Sequence, residues 1–518
     1  MPDTAADTAT QPLLGESRNE NTQYGTVDPV SERTSFKRNL GTAEAFGIII
    51  SIVIGSGIFT SPGSIDTNVP SPGFALIVWL VGGILAWTGA ATMAELGTAI
   101  PGEGGVQPYL QYIFGDVFGF LAAWTWIVAV IPASLAIMSI VFVESVFSAL
   151  GQDSQTQGAL HKLLSILVLI VFSMANGIST KATTRLNSFF VSAKFAAVVA
   201  TVVAGIAVVL YHLTPGTDRS SQDWWNKSWF GYRVSVGPDG STIDWSQLEG
   251  WEMLGHYSAA LYGALWAYSG WDKAIYITAE LSAPARQLPL AINTAIPIVV
   301  GGYIAVNAAY YVLLPWDVVS TTDSVAVTAF SHLLGPTVGL VAALLICIVV
   351  AGSLLSSAFV GSRMIVAAAN KTWLPESLGR VGSITQPTES TTTNTDGSAA
   401  ESDSDAPLNA LIFGTACSAL YIIFGNFRAL VTFNGLGEYS FFLLTMIGAL
   451  VLRIREPKLH RPYKPFILIP VVFTLVCGFV VIRGAVFAPF QAGVLVAVWG
   501  VGVVWYVARR RWLQSRDG

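Results

Sequence analysis

The stretch IVIGSGIFT (residues 52–60) places the triplet Gly55-Ser56-Gly57 inside a segment that is apolar enough to cross a bilayer. Glycine weakens a helix by roughly 1 kcal/mol relative to alanine, and serine competes for the backbone hydrogen bonds. An unwound segment in hydrocarbon leaves backbone N–H and C=O groups unpaired, at several kcal/mol each. The sequence therefore predicts a helix break that lines a cavity enclosed by protein.

The composition around this break is that of a membrane protein. The 518-residue chain is 53% hydrophobic and only 11% charged, whereas soluble domains are about 25% charged. A bilayer core of about 30 Å requires about 20 apolar residues per helix. We predict an all-α polytopic membrane protein with twelve transmembrane helices, at 43–67, 74–98, 117–150, 163–179, 187–211, 257–281, 290–314, 336–369, 407–425, 430–452, 466–484 and 489–508.

Polar segments divide the chain. Residues 1–40 are rich in Ser, Thr, Asn and Asp without hydrophobic periodicity, which predicts a disordered cytoplasmic tail. The low-complexity segment 386–405 predicts a disordered cytoplasmic insert. We place a ten-helix transport core at 41–453, helices 11 and 12 within 454–510, and a short cytoplasmic tail at 511–518.

The distribution of basic residues orients the spans. Eighteen of the 27 Lys and Arg residues lie in segments on one predicted side and six on the other. The positive-inside rule therefore predicts that both termini are cytoplasmic. The longest outward segment, the predicted extracellular loop 212–256, carries the sequon Asn226-Lys227-Ser228. We expect a plasma-membrane location, with the vacuolar membrane as the alternative.

A faint internal symmetry relates the two halves of the chain. Span six contains a second helix-weakening pair, Ser269-Gly270, and spans three and eight are both unusually long. In both cases the matching features lie five spans apart: the broken spans are one and six, and the long spans are three and eight. Because five is odd, the second copy must be inverted in the membrane, which is typical of secondary transporters with discontinuous helices. The predicted repeats are 43–211 and 257–452, with helices 1 and 6 broken.

The two breaks suggest a binding site for a zwitterion such as an α-amino acid. The half-helix after the first break presents its positive N-terminal end, which suits a carboxylate. Span six supplies backbone carbonyls for an ammonium group near Trp266, Tyr268, Ser269 and Gly270. The alternative interpretation is that these small residues only allow close helix packing.

Ionisable residues inside spans are costly in a membrane and are therefore functional candidates. Lys194, in the middle of span five, could take the place of a bound cation or snorkel to the surface. Asp272 could face substrate or form a local pair with Lys273. Glu438 and Glu144 are candidate proton carriers, although Glu144 lies near the predicted outer end and is expected to be solvated.

Three further charged residues lie toward the predicted inner ends of their spans. They are Glu95, Glu280 and Arg363. Two interpretations stay open for them: ion pairs of a cytoplasmic gate, or anchors at the membrane interface.

Several function classes find no support in the sequence. The phosphate-binding signature G-x-x-x-x-G-K-[ST] does not occur, and nothing resembles a metalloprotease helix, a haem ligand pair or a catalytic triad. Cys347, Cys417 and Cys477 fall inside apolar spans. This position is typical of small core residues and not of metal ligands. The chain has a net charge of −5 and contains no basic domain. We expect no enzyme activity, no cofactor, no metal and no nucleic-acid partner.

Several motifs resemble a known family. IGSGIF (54–59), the segment from SPGFALIVW to IPGEGG (71–105), WAYSGWDKAIYITAEL (266–281) and REPKLHRPYKP (455–465) closely resemble the L-type amino acid transporters of the amino acid–polyamine–organocation superfamily. The sequence as a whole resembles fungal-type members of this family. The resemblance implies a LeuT-like fold of twelve helices with a 5+5 inverted repeat, which carries neutral amino acids. Fungal permeases of this type favour methionine and other apolar amino acids as substrates.

Positions in the family's motifs imply roles for residues of this chain. Trp266 stands where the family has an aromatic gate, and Ser269 and Gly270 stand at the span-six break. Lys194 matches the family lysine that replaces a sodium ion, which implies sodium-independent transport. The substrate's carboxylate and amine would be held by the segment Ile54, Gly55, Ser56, Gly57 and Ile58.

The chain also departs from the family pattern. Asp272, Glu438 and Tyr439 differ from the residues that many animal members have near the distal part of the pocket, which changes the expected specificity. Glu438 adds a possible proton site. The segment 151–161 has no cysteine, where animal members use one to bind a heavy chain, so no disulfide-linked heavy chain is expected.

The sequence thus predicts a sodium-independent secondary transporter of neutral L-amino acids that works by alternating access. Its mode is exchange or proton symport. The alternative is an amino-acid sensor that keeps the transporter fold but signals instead of carrying flux.

Overall fold

The structure is a computed structural model, and it describes residues 41–517 except 101–104, 152–157, 179, 218–219, 221, 274–280 and 381–406. The predicted disordered segments 1–40 and 386–405 lie outside the described residues, as does Glu280.

The described chain is predominantly helical, as its composition predicts, and contains one short two-stranded hairpin. The helices are α1 (Thr42–Val53), α2 (Gly57–Thr67), α3 (Pro72–Ala99), α4 (Val106–Phe114), α5 (Asp116–Thr125), α6 (Ile131–Ala149), α7 (Ala159–Ile178), α8 (Thr180–Leu213), α9 (Asp223–Asn226), α10 (Gly250–Ala267), α11 (Pro284–Leu313), α12 (Trp316–Val319), α13 (Val325–Leu334), α14 (Pro336–Asn370), α15 (Leu408–Phe424), α16 (Phe427–Arg455), α17 (Leu468–Phe487) and α18 (Pro489–Asp517).

Nine helices of the described chain are long and apolar enough to cross a membrane. They are α3, the continuous run of α5 and α6, α7, α8, α11, α14, α16, α17 and α18. The pair α1 and α2 makes a tenth if it is counted as one span bent by 45°. The two other predicted spans coincide with α10 and with the 17-residue apolar helix α15.

A short helix and a glycine with a positive φ precede each of the two longest helical runs, which are α5 with α6 and α14. The short helix α4 ends at Gly115, which has a φ of +96°, and α5 begins at the next residue. The short helix α13 ends at Gly335, with a φ of +89°, before α14. Only glycine adopts this left-handed backbone readily. The run of α5 and α6 includes a π-helical turn (Trp126–Val130), where the wider turn accommodates a proline that cannot donate a backbone hydrogen bond.

The predicted loop 212–256 contains an antiparallel hairpin that the sequence analysis did not predict. Strands β1 (Val234–Val236) and β2 (Thr242–Asp244) pair with Ser235 opposite Ile243. The Gly237 N–H donates a hydrogen bond to the carbonyl of Ser241 at 2.7 Å, which closes the turn. The hairpin lies on α2, since the Ser235 hydroxyl donates to the carbonyl of Val69, just beyond that helix, at 3.3 Å.

Two opposite faces of the helical assembly are named here by their residues. The basic face is where α3, α14, α16 and α18 end. Side-chain contacts join these ends: Arg455 donates to the carbonyl of Ile113, and Arg509 donates to the carbonyl of Thr372. The hairpin face, where α14 and α16 begin, carries the β1–β2 hairpin and the segment 315–324.

Candidate functional site

The first break lies where the triplet predicts it. Helix α1 ends at Val53 and α2 begins at Gly57, so that residues 54–56 are not helical. Gly55 is half-buried between buried neighbours, and a Cβ atom built on it would meet no atom closer than 4.0 Å. The backbone of Gly55, next to the N-terminal end of α2, therefore has room for a Cβ atom.

The second break follows α10. This helix ends at Ala267, well before the predicted end of span six, and Gly270 has a φ of +111°. The chain turns here through hydrogen bonds from Ser269 N–H to the carbonyl of Trp266 at 3.1 Å and from Lys273 N–H to the carbonyl of Gly270 at 3.0 Å. The left-handed backbone at Gly270 requires glycine and stops the helix.

The two breaks touch each other. A Cβ atom on Gly57 would lie 2.5 Å from the Cα of Ala267, and one on Gly270 would lie 3.0 Å from the carbonyl oxygen of Ile52. Close packing therefore accounts for Gly57 and Gly270, as the alternative interpretation expects. It does not account for Gly55, which has room for a side chain.

A tyrosine that the sequence analysis did not single out joins both breaks. The Tyr303 hydroxyl, on α11, lies 3.0 Å from the carbonyl oxygen of Val53 and 3.2 Å from that of Ala267, the last residues of α1 and α10. Its ring is buried and stacks on Tyr268 at 4.8 Å. A hydroxyl donates a single hydrogen, so the two helix ends share one donor.

Two polar atoms beside the second break lack a hydrogen-bond partner among the described residues. They are the indole Nε1 of Trp266 and Oδ1 of Asp272, each shielded from solvent. Buried polar atoms are normally paired, and an exception requires a reason such as a ligand. The Trp266 side chain as a whole is half-buried, which leaves part of it facing open space.

Glu438 lies against the second break. Its carboxyl is buried within α16 and lies close to the Ser269 side chain, and Asp272 and Lys273 are close enough for electrostatic interaction. Lys273 is also within electrostatic range of Lys194, which is half-buried on α8. The structure thus brings together the neighbours Asp272 and Lys273 with Glu438 and Lys194, which the sequence analysis had not connected to them.

Tyr439 lies next to this cluster but faces other aromatic side chains. Its hydroxyl accepts a hydrogen bond from Trp271 Nε1 at 3.3 Å, and its ring packs edge-on against Phe442 at 5.3 Å. Glu144 lies elsewhere. It lines a cavity of about 410 Å³ at the hairpin face together with His161, Lys162 and Asp239.

The comparisons with known proteins decide the family. A family model described as amino acid permease matches residues 40–508. The chain belongs to the amino acid permease family. The resemblance found in the sequence motifs is thereby confirmed, and the permease is a multi-pass integral membrane transporter and not an enzyme.

Individual relatives agree with this assignment. The permease is 30% identical over 456 residues to the human b(0,+)-type amino acid transporter 1, covering 88% of this chain and 84% of that protein. It is 28% identical to the mouse Asc-type amino acid transporter 1 over 91% of this chain and 81% of the relative. The mouse large neutral amino acids transporter small subunit 2 is also 28% identical, over 92% and 82%. These relatives lend no support to the sensor alternative.

An ion-pair cluster at the basic face involves Glu95, one of the predicted gate or anchor residues. Arg453, at the end of α16, donates to both carboxyl oxygens of Glu95 on α3, and Arg461 Nε lies 3.2 Å from Glu95 Oε1. We call this cluster the basic-face clasp. Arg363 behaves differently, because it is exposed and stacks on the Phe359 ring at 3.8 Å.

Two ion pairs at the hairpin face were not predicted. Arg428, at the start of α16, donates to Asp323 Oδ1 at 2.8 Å and to the carbonyl of Ser320 at 3.1 Å. Arg233, just before β1, binds Asp66 at the end of α2. We call these pairs the hairpin-face clasp. Their partners are distant in sequence, and no local motif links them.

Proposed function

We propose that this permease is a sodium-independent secondary transporter that carries neutral L-amino acids across the plasma membrane by alternating access. The observation that carries the proposal is the contact of two helix breaks beside Gly55, whose backbone has room for a Cβ atom that close packing does not explain. A helix N-terminus supplies donors for a carboxylate, and unwound backbone supplies acceptors for an ammonium group.

The proposed substrate site includes both breaks and their surroundings. The α-carboxylate would lie at the N-terminal end of α2, and the side chain would extend toward Trp266. The unpartnered Trp266 Nε1 and Asp272 Oδ1 support contacts with a bound ligand in this region. The full proposed set is Ile54, Gly55, Ser56, Gly57, Ile58, Trp266, Ser269, Gly270, Asp272 and Tyr439.

The charges around the site favour a substrate without net charge. Asp272 and Glu438 carry two acidic groups, and Lys194 and Lys273 carry two basic ones. A zwitterion leaves that balance unchanged, whereas a cationic or anionic substrate would add an uncompensated charge in a region of low dielectric constant. The ammonium group of Lys194 supports transport without sodium, because Lys194 matches the family lysine that takes the place of a bound cation.

The fold that we propose for this function has twelve transmembrane helices in a 5+5 inverted repeat. Supporting evidence is the repeated pattern of a short helix, a positive-φ glycine and a long helical run, at Gly115 and at Gly335. Gly115 lies at the basic face, and Gly335 lies at the hairpin face, as expected for copies with opposite orientations. The positive-inside rule places the basic face in the cytoplasm. The vacuolar membrane stays the alternative location.

A pair of glycine substitutions tests the site. The Cβ atom of Gly55→Val fits without a clash and would lie beside the N-terminal end of α2, so binding of labelled methionine or leucine should fall at least tenfold while the detergent-purified protein remains monodisperse. Gly47→Val is the matched control, because Gly47 also lies in this span and its Cβ would meet nothing within 4 Å. Equal binding by Gly55→Val and Gly47→Val would refute the proposed site.

Gly57→Val is unsuitable for this test, since its side chain would collide with Ala267 and separate α2 from α10. We expect this variant to lose stability as well as binding.

The transport mode is tested by flux in proteoliposomes. Proton symport predicts uptake that rises with an inward proton gradient and collapses in Glu438→Gln, with Glu144→Gln as the control that keeps gradient-driven uptake. Exchange predicts that uptake requires amino acid preloaded inside, with or without the gradient. Uptake that depends on sodium would contradict the proposal in either mode.

We also propose that no disulfide-linked heavy chain is required. The three cysteines of the chain lie within α14, α15 and α17, and all are free thiols. Transport by the purified chain alone in proteoliposomes supports this, and activity that requires a co-expressed, disulfide-linked partner would contradict it.

A further inference from the structure

A second polar cavity lies at the basic face, far from the helix breaks. Its volume is about 430 Å³, and it is enclosed by the start of α5, the segment after α14 and the last turns of α18. We call it the basic-face pocket. None of the residues that line it belongs to the proposed substrate site.

The charge in this pocket is positive. Lys371, Arg509 and Arg510 line it together with one acidic residue, Asp116. The Asp116 carboxylate accepts a hydrogen bond from the Gln111 side chain at 2.8 Å. Three cations against one carboxylate make an environment that attracts anions.

The guanidinium groups are available to a ligand. Arg509 donates from Nε to the carbonyl of Thr372 at 3.3 Å, which fixes its position at the pocket wall. Arg510 is exposed and makes no hydrogen bond or ion pair within the described part of the chain. Guanidinium groups match the geometry of phosphate oxygens, which they bind in pairs of hydrogen bonds.

Aromatic rings form the wall of the pocket on its membrane side. Trp373 and Tyr506 line it, and Phe120 packs against Tyr506 at 5.0 Å and edge-on against Trp373 at 5.9 Å. Trp505 donates to the carbonyl of Trp373 at 2.9 Å, which ties α18 to this wall. Tryptophan and tyrosine are enriched at the headgroup level of a bilayer, where one side is apolar and the other is wet.

Exposed apolar side chains continue from the aromatic wall toward the middle of the helices. Val503 and Val507 on α18 stand within one turn of Tyr506 and Arg510, and they are 40% and 43% exposed. On α5, Val117 and Phe118 follow Asp116 and are each 38% exposed. A soluble anion would use only the charged part of this surface. A phospholipid would use both parts.

We propose that the basic-face pocket binds the phosphate headgroup of an anionic phospholipid, with an acyl chain along the exposed side chains of α5 and α18. Basic pockets between transmembrane helices at the cytoplasmic face are suited to such headgroups. The inference goes beyond the proposed transport function and does not depend on it.

The test is a lipid titration of the full-length, delipidated protein followed by native mass spectrometry. Wild-type protein should bind phosphatidylserine at least tenfold more tightly than phosphatidylcholine. Arg509→Gln/Arg510→Gln should lose about thirtyfold in phosphatidylserine affinity, since each of the two cations near a headgroup contributes about 1 kcal/mol and about 1.4 kcal/mol is a factor of ten. The matched control is Arg380→Gln/Lys458→Gln, which removes two exposed cations of the same face outside the pocket.

Further arms separate the outcomes. Arg509→Lys/Arg510→Lys keeps both charges and should retain most of the phosphatidylserine affinity, and unchanged melting temperatures show that each variant is folded. Glycerophosphoserine and inorganic phosphate have the phosphate without acyl chains and should not displace the lipid at equal concentration. Equal affinity of the Arg→Gln pair and the wild type, or displacement by either soluble phosphate, would overturn the proposal.

Discussion

Each end of α16 carries an arginine that belongs to a clasp, and these two arginines are held in different surroundings. At the basic face, the side chains of Arg453 and Arg461 are 7% and 5% exposed, and Glu95 between them is 2% exposed. At the hairpin face, Arg428 is 20% exposed, and Arg233 is 17% exposed. The basic-face clasp joins α16 to the long helix α3, whereas the hairpin-face clasp joins loops and α16 to the short half-helix α2.

This difference bears on how the permease opens. Separating a fully buried ion pair leaves charges in a region of low dielectric constant, which costs several kcal/mol per ion. The cations of the hairpin-face clasp already reach solvent and can be hydrated as they separate. The comparison predicts that the pair of Arg428 and Asp323 separates at lower cost than the basic-face clasp, whereas the wholly buried Asp66 keeps α2 bound to the loop that carries Arg233.

The largest effect is expected from Glu95→Gln. This substitution leaves two buried guanidinium groups without a carboxylate, which should destabilise the fold by about 3–5 kcal/mol. Fluorescence-detected size-exclusion chromatography after heating should show a clearly lower melting temperature. Glu456→Gln, which disturbs a more exposed pair with Arg455, is the control. Equal melting temperatures for the two variants would show that burial of the basic-face clasp adds no stability beyond that of an exposed ion pair.

Arg233→Gln should have a smaller but clear effect. Asp66 is wholly buried and would retain the hydrogen bond from the Tyr311 hydroxyl, now at 2.6 Å, but no cation of the loop. Loss of a hydrogen bond to a charged group costs about 1.5–3 kcal/mol. We expect faster proteolysis within 214–249.

The double variant Asp66→Asn/Arg233→Gln should regain part of the lost protease resistance, because it removes the uncompensated carboxylate as well. Proteolysis of Arg233→Gln at the wild-type rate would show that the loop is held by other contacts.

Arg428→Gln should change conformation more than stability. Its guanidinium ties Asp323 and Ser320 to Thr67 on α2, and it is partly hydrated already. We expect a cysteine placed at Asn68, next to this contact, to react several-fold faster with a membrane-impermeant thiol reagent when Arg428→Gln is present. The same cysteine at position 68, combined with Lys227→Gln, is the control. Lys227→Gln removes the surface ion pair with Asp223, and the cysteine should then react at the rate measured without a second substitution. No difference between the two would mean that Arg428 does not keep this face closed.

The smallest effect concerns the turn of the hairpin. Ser241 donates its hydroxyl and its backbone N–H to Asp239, which holds the pKa of that carboxyl below its ordinary value. Because the folded pKa is lowered, the contribution to stability is present above the ordinary pKa and is lost as pH falls through the folded value. Amide exchange at Ser241, corrected for its intrinsic pH dependence, should lose protection only in this acidic range. Asp239→Asn should abolish that pH dependence, and an unchanged profile in the variant would contradict the assignment.

Much of the helical pattern was predictable because it is encoded locally. Long apolar runs locate the spans, and the triplet at Gly55 and the pair Ser269-Gly270 locate both breaks within a few residues. Gly270 shows why: a left-handed backbone is a property of one residue, so one glycine is enough to indicate it.

The contacts that complete the site were not predictable from the sequence. Tyr303 is 250 residues from Val53, and Arg233 is 167 residues from Asp66. Their roles depend on how distant helices pack, which hydropathy does not encode. The same limit applies to Glu438, which was a candidate by its position in a span but not by its proximity to Ser269.

The Tyr303 hydroxyl has one hydrogen to donate to two helix ends. This limit constrains the order in which the ends of α1 and α10 can move away from it. While both ends are near, the hydrogen is shared between the carbonyls of Val53 and Ala267. When one end moves away, the hydrogen goes wholly to the other, which thereby becomes the more firmly held of the two. Release of α1 strengthens the hold on α10, and release of α10 strengthens the hold on α1. Tyr303 thus favours release of the two helix ends in turn over their simultaneous release.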